Sequence, residues 1–133
     1  MDQINKFSHG VSGEKEFGFA QAIKVADTIY VSGQLSHDAK GNFLHAGDFD
    51  AQIKQVWSNL DKVLAHFKVT RKQVVQDTVF VVDLHKNAEA VAASHLAYFG
   101  DHGPTSTTVG AAALFFLGQL IEINVITSTQ LPA

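Results

Sequence analysis

The most regular hydrophobic pattern lies in residues 53–67. Ile53, Val56, Trp57, Leu60, Val63, Leu64 and Phe67 recur at spacings of three and four, which aligns them on one helical face. Asp48 stands at the N-cap position, Asp50 puts negative charge in the first turn, and His66 and Lys68 suit the C-terminal end. A second helix is predicted over residues 87–99, with Asn87 as its cap and Gly100 as its stop. Thr70-Arg-Lys-Gln73 has capping-box spacing and predicts a brief helical turn. Strand patterns occupy most of the rest. Residues 17–25 begin one strand, residues 28–32 form another, Ala26-Asp27 suits a tight turn between them, and Gly33 ends the second. Residues 36–42 are polar and read as a loop, whereas valine-rich residues 76–84 read as a buried strand. Residues 104–114 and 120–126, rich in β-branched and apolar side chains, are predicted to pair as an antiparallel hairpin across the short connection 115–119.

Alternation assigns faces within these strands. Ile121, Ile123 and Val125 share a face that reads as core, Glu122 and Asn124 share the other, and Ser106, Thr108 and Gly110 lie together on one face of their own strand. Two strands, a helix, a strand, a helix and two strands predict an α+β fold: one mixed sheet with two helices packed on one face. A single domain is expected over residues 1–133. The sheet's other face carries small and hydroxylated residues with apolar ones among them. A homo-oligomer covering that face would also create clefts at its interfaces.

Composition narrows the function classes. A hydrophobic fraction of 46% with 17% charged residues fits a globular chain rather than a disordered one. No apolar run reaches bilayer-crossing length and the first residues lack the layout of a signal peptide, so a cytoplasmic location without membrane partners is expected. Cysteine is absent, which excludes disulfides, thiolate catalysis and thiolate zinc sites. The net charge is −3 and the basic residues are scattered, so no nucleic-acid partner is expected. Arg71 is the only arginine.

Glu122 is the leading candidate for chemistry. A half-buried carboxylate in mid-strand can act as a general base or orient water, although a solvated strand face or an interface hydrogen bond would also accommodate it. Ser106, Thr107 and Thr108 offer hydroxyls, but Gly-x-Ser-x-Gly is missing and a serine nucleophile is not expected. The seven histidines form neither His-x-His nor His-x-x-x-His, and His95 and His102 flank the end of the second helix. Ser32-Gly33-Gln34 at a strand end can present backbone N–H groups to a ligand.

Phe19-Ala-Gln-Ala22, Ile29-Tyr-Val-Ser-Gly-Gln34, residues 52–64 with Asn59-Leu60, residues 75–83 with Thr78-Val79, Tyr98-Phe-Gly100, residues 104–109 and Ile121-Glu-Ile123 follow one another over nearly the whole chain. In that order they resemble the Rid family of small trimeric proteins, once called YjgF or L-PSP. The resemblance implies a chorismate-mutase-like α+β fold, a homotrimer around a central barrel, and small-molecule clefts between neighbouring subunits. In the best-known branch it implies hydrolysis of 2-imino and enamine acids to 2-oxo acids and ammonia, without cofactor or metal. An arginine there clamps the substrate carboxylate, a glutamate helps place the attacking water, and a Ser-Gly turn lines the pocket.

Position by position, Glu122 falls on that glutamate, allowing one extra residue in the 115–119 turn, and Ser32 and Gly33 match the lining turn. Phe19 stands where a tyrosine is often found and Ala92 where an asparagine is usual. The arginine of Pro-x-Arg is Ser106, because the segment reads Pro104-Thr-Ser106. A hydroxyl replaces neither the charge nor the fork of a guanidinium, and its loss from a desolvated cleft costs about 3 kcal/mol, roughly a hundredfold in affinity or rate. Arg71, at the turn before the valine-rich strand, is expected away from the cleft. The resulting expectation is a trimer whose pocket binds or hydrolyses a small metabolite. Glu122 would orient water, Phe19, Ser32 and Gly33 would line the site, and Ser106 and Thr108 would hydrogen-bond the ligand. Weak 2-iminobutanoate/2-iminopropanoate deaminase activity and a non-catalytic binding or scaffold trimer are the alternatives, and the acidic balance makes ribonuclease activity the weakest of the options.

Overall fold

Burial alternates along the valine- and isoleucine-rich segments, and this alternation decides which strand sits where. The computed structural model describes residues 4–133. Its strands are β1 (Ile4–Phe7), β2 (Ala22–Val25), β3 (Thr28–Gln34), β4 (Val74–Val82), β5 (Thr105–Ala111) and β6 (Ile121–Ser128). Its helices are α1 (Gly13–Phe17), α2 (Phe49–His66) and α3 (Leu84–Phe99). The strands form one six-stranded sheet in the order β1-β2-β3-β6-β4-β5. All neighbours pair antiparallel except β4 and β5, which run parallel and are joined by the α3 crossover. The fold is α+β, as the pattern predicts.

The predicted hairpin does not form. Strand β6 inserts between β3 and β4, while β5 lies beyond β4 at the sheet edge. The reason is burial. Ile121, Ile123, Val125 and Thr127 of β6 are all buried and need neighbours on both sides. Along β5, Thr105 to Gly110 are exposed on both faces, as an edge strand tolerates. The connection through residues 112–120 therefore steps across β4 instead of closing a turn.

Other boundaries also differ from expectation. The predicted strand over residues 17–25 shortens to β2, because residues 13–17 form α1 and Gly18 turns the chain with φ 74°. Strand β1 has no clear sequence signal. Strand β3 continues through Gly33 to Gln34, and the two residues Ser32 and Gly33 face the single Asn124 of β6, which makes a bulge. Helix α3 starts at Leu84, after Asp83 reverses the chain with φ 55°. Asn87 does not cap it; its amide donates to the carbonyls of Val82 and Asp83. At the other two sites the caps agree: Asp48 accepts from the Ala51 N–H at 3.1 Å, and Thr70 and Gln73 form the capping box.

Helices α2 and α3 cover one sheet face, where Val56, Leu60 and Val63 meet Ile29, Val79, Val81, Ile121 and Ile123. Trp57 stacks on Tyr98 with ring centroids 4.1 Å apart and locks the two helices together. The opposite face, with Tyr30, Thr78, Phe80, Glu122, Asn124 and Ile126, is partly open.

Two buried amides on α2 fasten the connections. Asn59 donates to the carbonyls of Leu35 and His37. Fully buried Gln52 donates to the carbonyls of His45 and Gly118, each at 2.8 Å, and accepts from the Leu120 N–H at 2.8 Å. Leucine at position 52 fills a similar volume but strands three backbone groups, so Gln52→Leu is expected to destabilise the protein by about 3 kcal/mol in denaturant unfolding. A loss below about 1 kcal/mol would show that water readily replaces the amide.

Candidate functional site

Glu122 projects from the open face of β6, opposite Phe80 of β4. It is half-buried, and its Oε1 accepts from Gln119 Nε2 at 3.1 Å. Its carboxylate also rests against Gly33, where a Cβ would collide with it. The β3 bulge and the missing side chain thus create the space that the carboxylate occupies. Ser32 closes the corner: its hydroxyl donates to the Ala20 carbonyl at 2.7 Å and its N–H to the Gln21 carbonyl at 2.8 Å. Those two donors serve the scaffold, so Ser32 presents oxygen lone pairs rather than a proton.

These groups edge a cavity of about 380 Å³. Phe19 lines it together with Phe17, Phe115 and Phe116. Phe17 and Phe115 meet edge to face at 5.4 Å, yet they are 62% and 68% exposed, so this aromatic wall stands without cover in the isolated chain. Gln21 and His37 form part of its polar lining. Behind them, His9 Nε2 lies 2.8 Å from Gln34 Oε1, and Gln34 Nε2 donates to Gln21 Oε1 at 3.0 Å. Because Gln34 Oε1 only accepts, His9 is the donor. Glu14 anchors the same corner by accepting from Ser8 Oγ and from the His9 N–H.

Ser106 and Thr108 lie elsewhere. Parallel pairing sets them beside Asp77 and Val79, on the helix-covered face of the sheet, whereas Glu122 faces the other way. They line a separate concavity of about 540 Å³ under α3, together with Ala92, His95, Leu96 and Phe99. The structure therefore brings Glu122, Phe19, Ser32 and Gly33 together, and it leaves Ser106 and Thr108 outside that group within one chain. Beneath Ser106 is a feature that the sequence reading passed over. The carboxylate of Asp77, fully buried, lies 2.6 Å from Ser106 Oγ and 2.6 Å from His95 Nε2. An acid inside the run Val74-Val-Gln-Asp-Thr-Val-Phe-Val-Val82 was the available signal, because a buried charge requires partners. Gln119 was missed as well: it stands three positions before Glu122 but in the connection outside β6, where strand alternation does not place its side chain.

Arg71 lines neither of these concavities. Its guanidinium pairs with Asp61 at 2.8 Å and covers the Tyr98 ring at 3.8 Å. His102 is likewise committed, with Nε2 2.6 Å from the Val74 carbonyl. Among the described residues, no group of three or more His, Asp or Glu side chains converges as a metal site would, and no helix is long and apolar enough to cross a membrane.

Residues 13–129 match the family described as Endoribonuclease L-PSP. A RutC family protein of Sulfurisphaera tokodaii is 34% identical over 110 residues, which cover 83% of this chain and 86% of that protein. The human 2-iminobutanoate/2-iminopropanoate deaminase is 30% identical over 108 residues, or 81% of this chain and 77% of that one. Among solved structures, YyfA of Yersinia pestis, a protein of unknown function in the conserved Rid protein family, superposes with a TM-score of 0.77 at 31% identity, over 84% of this chain and 87% of its own.

Two predictions concern this corner. Gly33→Ala is expected to displace the Glu122 carboxylate while leaving the sheet intact, which a crystal structure of the variant checks; an unmoved carboxylate would refute the close approach. Burial is the main cause that holds the His9 pKa below its ordinary 6.5. The unfolded chain then binds a proton that the folded one resists, so stability is full above pH 6.5 and falls as pH drops below it. His9→Gln is expected to flatten the stability profile in that window, and an unchanged slope would show that His9 does not set it.

Proposed function

The chain belongs to the Endoribonuclease L-PSP family, the Rid proteins, and from that premise we propose that it acts as a homotrimer whose inter-subunit clefts bind and hydrolyse a small metabolite with a carbon–nitrogen double bond. The observation that carries this reading is the separation of the site residues. Glu122, Phe19, Ser32 and Gly33 edge one concavity, and Ser106 and Thr108 line another on the opposite sheet face. A second copy bringing its Ser106 side against the first copy's aromatic wall would enclose one complete cleft. Two exposed features support such packing: the β5 edge, open on both faces, and the uncovered phenylalanines beside Glu122.

In that cleft Glu122 acts on water. The carboxylate, steadied by Gln119, takes a proton from the water as the water oxygen bonds to the imine carbon, and hands that proton to the imine nitrogen. The resulting carbinolamine collapses to a carbonyl and releases ammonia, so imine plus water gives ketone or oxo acid plus ammonia. The reaction requires a positioned water and proton transfer only. Relatives named 2-iminobutanoate/2-iminopropanoate deaminase, from human and rat, support this reaction class.

A second reading, a binding or scaffold trimer without turnover, is favoured by one observation. The only arginine is tied to Asp61 and Tyr98, and Ser106 contributes a hydroxyl already bonded to Asp77. An assay separates the two. Imines without a carboxylate are generated in place by an amine oxidase and imino acids by an amino-acid oxidase, and release of the carbonyl product is followed against semicarbazide trapping. Native turnover that falls at least a hundredfold in Glu122→Gln is the expected result. Equal turnover in both proteins would remove Glu122 from the mechanism, and no turnover in either would leave the binding reading. Sedimentation velocity is expected to give three times the mass of the chain, and a monomer would dismiss the shared cleft.

A further inference from the structure

The concavity under α3 is lined by Ser106 of β5 and His95 of α3, and both side chains bond to Asp77 of β4 beneath them. Asp77 is fully buried and stands at the centre. As a carboxylate it only accepts, so both 2.6 Å contacts are donations to it: the Ser106 hydroxyl proton on one oxygen and the His95 Nε2–H on the other. This fixes what remains for a ligand. Ser106 Oγ has spent its proton and offers lone pairs. When the His95 ring is neutral, the bond to Asp77 keeps its hydrogen on Nε2 and leaves Nδ1 as an acceptor, and Nδ1 has no hydrogen-bond partner among the described residues. Thr108 adds an adaptable hydroxyl nearby. No lysine or arginine lines the concavity; its rim is mostly aliphatic and aromatic, with Leu84, Val91, Leu96 and Phe99, and His85 stands exposed on it.

We propose that this concavity is a subsite for a group that donates N–H bonds, the amine or amide end of a small aliphatic molecule, and that it rejects carboxylates. The proposal rests on reading the concavity as one half of the shared cleft, and it specifies which ligand that half accepts. A carboxylate entering beside Ser106 finds the Ser106 and His95 donors committed and a buried negative charge one hydrogen bond below, with only Thr108 and the exposed His85 ring left to donate. Its lone pairs would face those of Ser106, which the cleft penalises heavily once a second copy covers it. An amine or amide N–H finds Ser106 Oγ and His95 Nδ1 ready to accept, with the Asp77 charge favouring its positive end. The short alkyl part packs on the rim.

The test compares three probes of equal chain length, n-butylamine, butanamide and butyrate, by chemical-shift titration of the ¹⁵N-labelled full protein at pH 8, above the ordinary histidine range. Butylamine and butanamide are expected to bind at least tenfold more tightly than butyrate. Asp77→Asn is expected to narrow the preference for butylamine, and Ser106→Arg to reverse the order in favour of butyrate. Butyrate binding as tightly as butylamine to the native protein would overturn the proposal, and this ranking decides even if Asp77→Asn fails to fold. A folded Asp77→Asn with an undiminished amine preference would overturn it as well. Glu122→Gln distinguishes this inference from the shared cleft. If the native ranking holds and Glu122→Gln leaves every affinity unchanged, the subsite stands and the inter-subunit reading fails. If the native ranking is reversed, the subsite falls whatever Glu122→Gln does.

Discussion

Strand β6 must bury one face completely while exposing the other in part, and the rest of the structure accommodates that requirement. Ile121, Ile123, Val125 and Thr127 point into the core beneath the helices, so the strand has to lie inside the sheet with a neighbour on each side. That demand draws β6 away from β5 and stretches residues 112–120 across β4. It also gives the buried Gln52 its task, since the stretched connection is fastened through Gly118 and Leu120. Glu122 is the alternate residue of a strand fixed in this way. Its position on the open face follows from the burial of its neighbours, and the Ser32–Gly33 bulge in the adjoining strand leaves room for its carboxylate.

Much of this was legible in the sequence, and the parts that were not share a cause. The stripe from Ile53 to Leu64 predicts α2, and Asp48 and the Thr70–Gln73 pair mark boundaries correctly, because caps and helical periodicity are local. Alternation around Glu122 gives its face correctly for the same reason. Strand partnership is not local. Two β-rich segments close in sequence read as a hairpin, and only the contrast between fully alternating burial in β6 and general exposure in β5 separates them. The αL residue Asp83 misled the cap assignment, since Asn87 is the better cap by residue type yet binds the carbonyls of the preceding turn.

The candidate site divides along the same line. Phe19, Ser32, Gly33 and Glu122 gather because β3 and β6 are neighbours and the bulge twists one towards the other. Ser106 and Thr108 shared a face in the sequence reading, but which face relative to Glu122 depends on register across β4, and register placed them on opposite sides. The Asp77 cluster needed the parallel β4–β5 pairing and the crossover helix at once to be visible, because its other two members lie 18 and 29 positions beyond the aspartate in the chain.

The order of the strands in space has a consequence for the birth of the molecule. On the ribosome, β1, β2 and β3 emerge first, then β4 and β5, and the strand that lies between these two groups emerges after both. Until β6 arrives, β3 and β4 have no common partner, and the apolar faces that will meet in the core are held by two separate pieces of nascent chain. Closure of the sheet is therefore a late, single event in which one strand acts as a keystone, and the carboxylate it carries reaches its corner in the same step that completes the fold.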